Sequence, residues 1–596
     1  MLQALREYGA KLGGEPGFKS REVRWCIQLS ASGELLAVVP LGDGQSGVNL
    51  ERCADMHAMV SGGKAHFLIE SAQSIAKHFK PRANNESRKD RIKTLRSGVI
   101  RHAYFAKLIQ EAAVTVPLLS SIDGILRNKM HVKELRKQMA QAQVRPADWV
   151  TWQVGEIDPH LSTDVQAWWR SWRAQAQAGG NATQEAAPEG SQMVCLLTGS
   201  HVKPLLTQPK ITGLAGVGGL AMGDVLVGFD KAAFQSFGLE KSTNAAMGEE
   251  AAQQYIDALN HLINQQKEAT RKNPSRRTNA LMLYWFKASL PPEDDPFAML
   301  YGMSTEEQQT AAALGQARKL LAAIRNGQRA GLGANHYYAM TISGASGRVM
   351  VRDWMEGQFV QLLSHIEAWF TDLSIAHRDG GGLAPDPKFL AVGGALVREL
   401  KDLPPSTTSV LWRTAIAGLP IPQPLMAQAL DRFRSALIKD ETFSHARMGF
   451  IKAYFVRKST GGDQHMKPHL NPEHPAPAYH CGRLLAVLAK LQHAALGDVG
   501  AGVVQRFYPA ASTAPGLTLG RLVGNARNHL GKLEGGLTFW YEQQIADVMG
   551  QLGDAIPRTL DLEGQGLFAL GYYQQLAALR APKKSSIENN QYGEQV

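Results

Sequence analysis

The sequence predicts an α+β protein, in which a mixed amino-terminal region with β-hairpins is followed by an all-α carboxy-terminal helical bundle. Up to about residue 354, short apolar runs alternate with polar residues, as in strands. Beyond a Gly-Pro segment at 380–388, apolar residues fall on helical stripes such as Leu484, Leu488 and Leu491. A chain of 596 residues is also too long for a single core, so we expect several domains.

Composition indicates where these domains meet. The stretch 174–191 is polar and rich in Ala, Gln and Gly, and 380–389 is rich in Gly and Pro, so both are predicted linkers. The predicted domain organisation is therefore a basic α+β region at 1–173, a linker at 174–191, a glycine-loop α+β region at 192–379, a linker at 380–389 and a helical bundle at 390–596.

The elements follow from local patterns, taken in chain order. Residues 2–12 predict a short helix, and apolar runs on either side of Ser32-Gly33 predict a β-hairpin. Further elements are predicted as helices at 104–111, 128–143 and 255–263, a strand at 281–286, and a second hairpin whose strands, 337–342 and 348–354, flank 343–345.

Charge and cysteine content limit the classes of function. A net charge of +11 favours an anionic partner. The four cysteines are far apart and form no CxxC, so we expect neither a metal site nor a disulfide framework, and a cytoplasmic location. No apolar run approaches the roughly 20 residues of a membrane span, so no membrane partner is expected. No cofactor is expected either.

The segment that best indicates binding is a glycine-rich loop between two apolar runs, 193–197 and 225–229, which are predicted strands. Lys203 and Lys210 flank the loop, which contains Gly216, Gly218 and Gly219. Glycine tolerates positive φ and has no side chain, so such a loop lets backbone approach a phosphate closely. We predict that these five residues contact nucleic acid.

Three other interpretations of this loop were weighed. Gly216, Gly218 and Ala221 fit GxGxxA, but a dinucleotide fingerprint should open a long helix, and here an apolar run follows. A phosphate loop of the ATPase kind needs Lys after its last Gly, and there is none. A surface loop without a ligand remains open as an alternative.

Basic residues gather in three further places. Between residues 77 and 101 cations greatly outnumber acids, which favours nucleic-acid contact over a solvated helix face. The candidates here are Lys77, Lys80, Arg82, Arg88, Lys89, Arg91 and Lys93. A basic turn holds Arg271, Lys272, Arg276 and Arg277. In the bundle, cations again outnumber acids up to residue 532: Arg483, Lys490, Arg506, Arg521, Arg527 and Lys532.

Several motifs resemble one known family. AYHCGRLLAVLAKLQ (478–492), RFYPAASTAP (506–515) and GQGLFALGYYQQ (564–575) follow in the order seen in the large subunit of the type I-C CRISPR interference (Cascade) complex. Ala258-Leu259-Asn260 is similar to its Ala-Leu-Asn helix. Gly228-Phe229-Asp230 stands where that family has Ser-Phe-Asn, and Ser236-Phe237-Gly238 replaces Ser-Tyr-Gly.

The resemblance implies a non-catalytic subunit of a prokaryotic RNA-guided complex. Such a subunit recognises a short flanking motif on duplex target DNA, promotes unwinding, holds the displaced strand and docks a helicase-nuclease. Its implied partners are guide RNA, target DNA, and the backbone and guide-processing subunits. On this reading the glycine loop would contact the flanking motif, and the cations of the bundle the displaced strand.

The resemblance also implies that the carboxy-terminal bundle is made separately as a small subunit by internal translation. Met466 lies just ahead of the helix at 478–492 and is the predicted start of a product 466–596, with Met448 as another candidate. That Met466 is an ordinary loop residue remains open as an alternative. Two function classes remain as alternatives to the large subunit. One is a nucleic-acid-processing enzyme, although no HExxH, GxSxG or paired-carboxylate motif is present. The other is a basic scaffold that binds nucleic acid without specificity.

Overall fold

The computed structural model describes residues 1–42, 47–56, 63–81, 87–178, 192–272, 278–301, 313–439, 443–458, 461–499 and 501–582. The chain forms two compact units. The first comprises Met1–Thr212 and Ala221–His261, and the second Gly213–Leu220 and Leu262–Val596. Small sheets combined with long helices confirm the predicted α+β class.

The described residues of the first unit form three small sheets. Its strands are β1 (Phe18–Val23), β2 (Trp25–Leu29), β3 (Leu35–Pro40), β4 (Val48–Ala54), β5 (Glu70–Ser71), β6 (Trp149–Val154), β7 (Met193–Val194) and β8 (His201–Val202). The largest sheet has the order β3-β2-β6-β5, and only β2 and β6 are parallel in it. The predicted hairpin is confirmed as β2 and β3. Strand β1 pairs with β4, and β7 with β8.

Helices cover these sheets and complete the core of the first unit. They are α1 (Leu2–Lys11), α2 (Ala72–Ala76), α3 (Arg88–Ala113), α4 (Ser120–Arg127), α5 (Lys129–Gln141), α6 (Thr163–Ala178) and the beginning of α7 (Glu249–Lys272). Trp152 and Trp169 are buried in this core, and the Trp169 indole N–H donates to the Gly17 carbonyl at 2.7 Å. The first five residues of the predicted linker 174–191 belong to helix α6.

The second unit contains an antiparallel sheet with the order β11-β10-β9. Its strands are β9 (Leu281–Phe286), β10 (His336–Ala345) and β11 (Arg348–Gln358). The second predicted hairpin is confirmed, but its turn lies at Ser346 and Gly347 rather than at 343–345. Both turn residues have positive φ, 48° and 95°, whereas Gly344 lies within β10 and pairs with Val349.

The other long elements of the second unit that the structure describes are helices, and those from Phe389 onward correspond to the predicted bundle. The helices of this unit are α8 (Pro296–Tyr301), α9 (Ala313–Arg325), α10 (Ala330–Gly333), α11 (Phe359–Leu373), α12 (Phe389–Gly394), α13 (Pro405–Ile416), α14 (Gln423–Ile438), α15 (His445–Val456), α16 (Pro477–Leu496), α17 (Val503–Thr513), α18 (Pro515–Leu530), α19 (Gly536–Leu552) and α20 (Leu562–Arg580). Among the described helices, none is both long and apolar enough to cross a membrane.

Helix α16 lies at the centre of the bundle and packs against α17, α18, α19 and α20. Two glycines explain its close approach to α20. A Cβ on Gly482 would lie 1.9 Å from the Phe568 carbonyl oxygen, and one on Gly571 would lie 1.9 Å from that of Tyr479. The two helices therefore meet backbone to backbone. One apolar core cluster extends from Met282 to Leu576, so residues 380–389 and Met466 both lie inside this unit.

Candidate nucleic-acid interface

The glycine loop contributes residues to both units. Its central part, Gly213–Leu220, belongs to the second unit and contains a short 3₁₀ turn at Ala215–Val217. The backbone N–H groups of Val217 and Gly219 both donate to the Leu214 carbonyl at 2.9 Å. Leu214 and Val217 are buried, which fixes the turn, while Gly216 and Gly218 are exposed.

Two of the predicted glycines support the loop on the hairpin of β10 and β11. A Cβ on Gly344 would lie 2.1 Å from the Gly219 nitrogen, and one on Gly218 would lie 2.8 Å from the Gly344 carbonyl oxygen. Gly218 also has a φ of 91°, which side chains rarely adopt. Gly216 is different, because a Cβ there would meet no atom within 4 Å. The glycines therefore have two roles, support at Gly218 and Gly219 and open surface at Gly216.

Gly344 is the residue of this site that sequence reasoning missed. An isolated glycine inside a strand often marks a place where another backbone approaches closely, so the signal was present in the sequence. The sequence pattern instead predicts 343–345 as the hairpin turn, which hides this role of Gly344.

The two flanking lysines belong to the first unit, and both are exposed. Lys203 follows β8, and Lys210 precedes an isolated antiparallel bridge between Ile211 and Asp224. The predicted strand at 225–229 is wrong, since only isolated bridge residues, Asp224 and Val225, occur there. Continuing the register of the Ile211–Asp224 bridge would place Pro209 opposite Leu226, and Pro209 lacks the N–H group that a ladder requires. The apolar run at 193–197 forms only the two-residue strand β7.

The second basic group lies at the start of helix α3. Arg88, Lys89, Arg91 and Lys93 occupy its first turns, where Ser87 caps the helix by accepting from the Asp90 N–H at 3.1 Å. Residues 88–97 are exposed or half-exposed, and continuous packing begins only at Gly98. This part of the helix therefore presents its cationic side chains at the surface of the described structure. Lys80 is exposed as well, and Arg82 lies outside the described residues.

Lys77 belongs to a cationic cluster that the sequence did not reveal. Burial, together with the nearby charges of Arg136 and Lys129, lowers the pKa of the Lys77 ammonium. Burial also lowers the pKa of His102, and Lys77 and Arg136 add to the effect. Lys129 and Arg136 are exposed residues of helix α5. A concentration of like charge at one place is a feature of anion sites, and it brings α5 into the candidate surface.

The third basic group, at the end of α7, is only partly described. Arg271 and Lys272 are residues of this helix, but their side chains are outside the described part of the structure, as are Arg276 and Arg277 altogether. Their predicted contacts stay predictions.

The bundle corrects one candidate, Arg483. Its side chain is only 5% exposed, and its guanidinium donates to Gln575 (2.9 Å), to the Pro472 carbonyl (3.2 Å) and to His480 Nδ1 (2.9 Å). This placement argues against a contact with a displaced strand. The physical reason is that the first three turns of α16 are buried all round, as expected for the central helix of a bundle. Lys490 is half-buried, and the exposed candidates are Arg506, Arg521, Arg527 and Lys532.

Within the described residues, no group of three or more His, Cys, Asp or Glu side chains could hold a metal ion. The fold and these surfaces define a two-unit α+β protein with several exposed cationic surfaces. The model of the family described as CRISPR-associated protein (Cas_Csd1) matches residues 3–580, so the chain belongs to this family. A search of the curated proteins found no match.

Proposed function

We propose that this chain is the non-catalytic large subunit of a type I-C Cascade complex. In this role it recognises the flanking motif on duplex target DNA, promotes R-loop formation, holds the displaced strand and docks a helicase-nuclease. Membership of the CRISPR-associated family supports the general role. Guide RNA pairing reads the target sequence in such complexes, so the protein needs only a small readout element and cationic surfaces for backbone.

The observation that carries this proposal is the contact between the glycine loop and the β10–β11 hairpin. Gly218 and Gly219 rest on Gly344 with no side chain between them, which holds the adjacent Gly216 backbone in a fixed and exposed position. A fixed backbone that a partner can approach closely suits recognition of a short duplex motif. A mobile loop would lose conformational entropy on binding and so bind more weakly.

The exposed cations have a different task in this proposal. The projecting end of α3, the Lys77 cluster and the exposed arginines of the bundle contact phosphates, which supplies affinity without sequence preference. Affinity for all sequences and discrimination between motifs should therefore depend on different residues.

The test uses the assembled complex and two substitutions at open glycines. Gly216→Leu should weaken binding to motif-bearing targets by about 1 to 3 kcal/mol, the cost of disrupting one specific interaction. The fold should be unchanged, because nothing lies within 4 Å of a Cβ at this position. Gly124→Leu, at an equally open position in α4, is the matched control. Unaltered discrimination between motif and scrambled flanks in Gly216→Leu would overturn the assignment of the loop.

Two results would favour the alternative functions. Cleavage of plain DNA by the isolated chain, dependent on a divalent metal ion, would identify a nucleic-acid-processing enzyme. Equal affinity of the native complex for motif-bearing and scrambled duplexes would identify an unspecific scaffold.

A further inference from the structure

Phe237 is fully exposed, at 100% of its accessible surface, in the irregular segment between the glycine loop and helix α7. Large aromatic side chains normally contribute to stability by burial, and this one contributes nothing of that kind. Its backbone is also unusual for a residue with a Cβ, since φ is +53°. An exposed aromatic ring on a strained backbone persists only where the surrounding structure holds it, and such positions cluster at functional sites.

The turn that presents Phe237 is held by Asn244. The Asn244 side chain accepts from the Ser236 N–H at 3.1 Å and donates to the carbonyls of Leu239 and Lys241, both at 2.9 Å. The base of the turn is fixed too, because the buried Ser242 donates its N–H to the Leu206 carbonyl at 3.1 Å. The turn that carries the Phe237 ring is therefore held in place by side-chain and backbone hydrogen bonds.

The residues beside Phe237 leave its ring accessible on both faces. Ser236 and Gly238 are small and exposed, and a Cβ on Gly238 would meet no atom within 4 Å. A protein-docking aromatic is usually surrounded by further apolar contacts that exclude water, and neither neighbour supplies any. The charged residues of the sequence segment 230–241 are two acids and two bases, Asp230, Glu240, Lys231 and Lys241. The turn thus offers a flat apolar ring and no net charge for phosphates.

We propose that Phe237 is a stacking residue that packs against a nucleobase of the bound nucleic acid. The inference rests on the proposed function, which brings DNA to the chain, and adds a contact made by a ring instead of a cation. Stacking tolerates any base, because every base has a π-face. Phe237 should thus contribute affinity without contributing to the choice of flanking motif.

The experiment measures binding of the assembled complex to motif-bearing duplexes and their scrambled counterparts. Phe237→Ala should weaken binding to both by on the order of 10- to 100-fold, the effect of losing one stacked base. Phe237→Trp should retain binding, and Phe237→Leu should not, because leucine keeps an apolar side chain but loses the ring. Phe234→Ala, at a 43% exposed phenylalanine of the same segment, is the matched control.

Three results would overturn the proposal. Native affinity of Phe237→Ala would show that the ring makes no contact. Native affinity of Phe237→Leu would indicate an apolar protein pocket, as would loss of another subunit from the purified Phe237→Ala complex. If the native complex itself does not discriminate motif from scrambled flanks, the proposed function fails. In that case, stacking would still be supported if Phe237→Trp keeps the native affinity and both Phe237→Ala and Phe237→Leu lose it.

Discussion

Gly216 and Gly218 lie two residues apart, yet alanine should affect them differently. Gly218→Ala places a Cβ on a backbone with φ of 91°, which costs about 1–2 kcal/mol, and also brings it to 2.8 Å from the Gly344 carbonyl oxygen. Gly216→Ala meets neither problem. We expect thermal unfolding to show a destabilised second unit for Gly218→Ala only, and equal melting temperatures for the two variants would contradict this.

Asp257 should make the first unit less stable as pH rises. Burial raises the pKa of this carboxyl to about 6, while Gln253 donates to it at 2.7 Å. The ordinary pKa of an unfolded Asp is about 3.9, so the folded state binds more protons between about pH 4 and 6, and stability falls across this window. Asp257→Asn should be more stable than the native chain at pH 7 by about 1 to 2 kcal/mol, allowing for residual solvent screening.

The measurement is urea unfolding of both proteins at several pH values from about 4 to 7. The difference between them should grow with pH and stay constant above the folded pKa. Glu7→Gln, at an exposed position of α1, controls for the loss of one negative charge. A difference that does not change with pH would contradict the raised pKa.

For single residues, the sequence indicates which positions are unusual, but it does not predict which other residues they contact. The glycine pattern predicts a loop with an unusual backbone, which Gly218 confirms with its positive φ. It does not predict that Gly218 and Gly219 contact Gly344. That contact joins positions more than 120 residues apart, and local patterns do not report it. Arg483 was placed on a surface because charged residues usually lie there. Its hydrogen bonds to Gln575 and Pro472 offset its burial, and neither partner could be foreseen from spacing.

Helix α3 combines a packed carboxy-terminal half with a projecting basic start. Replacing Lys89, Arg91 and Lys93 with glutamine should lower affinity for every nucleic-acid sequence alike. The salt dependence should flatten by about one slope unit for each phosphate that is no longer neutralised by a lysine or arginine. The measurement is binding at several salt concentrations.

A matched variant separates a specific contact from the loss of net charge. Lys107, Arg127 and Lys319 are exposed helical cations outside these candidate surfaces, and two of them lie 3.7 Å and 2.8 Å from the carboxylates of Glu111 and Asp123. Their replacement with glutamine removes the same charge and should leave the slope nearly native. If both variants behave alike, the start of α3 is an ordinary solvated surface.

Elements with a clear period were predicted well, including α1, the hairpin of β2 and β3, strand β9 and the hairpin of β10 and β11. The strand expected at 225–229 shows what periodicity leaves out, since a strand also needs a partner with free N–H groups. The apolar run is present, but the segment that would face it is interrupted by Pro209. Local composition does not contain this tertiary requirement.

On the scale of the whole molecule, residues 466–596 share one apolar core with the helices before them. A Cβ on Gly566 of α20 would lie 3.1 Å from the Phe455 ring of α15, and Met466 itself is only 6% exposed. The predicted boundaries at 380–389 and 466 rest on Gly and Pro, which mark surface loops, and they stay predictions. Continuity of a core depends on which helix faces meet, and composition does not reveal this.

We still predict that an internal start at Met466 yields a separate small subunit. Expression of the intact gene with a carboxy-terminal tag should give a short product whose amino terminus is Met466, and changing that codon to leucine should abolish it. The structure adds a condition, because the product lacks α14 and α15, which cover part of α20. It should therefore co-purify with a partner or bind an apolar dye.

A short product beginning at Met448 would identify Met448 as the internal translation start. That product would contain most of α15. Absence of any short product, or abundance unaffected by the Met466 codon, would show that the bundle is made only as part of the full chain.

The support of the glycine loop also matters for engineering. Gly218, Gly219 and Gly344 hold the loop through main-chain atoms, so the scaffold does not depend on the side chains exposed beside it. Ala215 and Gly216 are exposed, and Gly216 has free space around it. A library randomised at these two positions alone would vary the chemistry presented to a target on a constant frame. On the proposed function, such a library is the natural starting point for directing the loop to other flanking motifs.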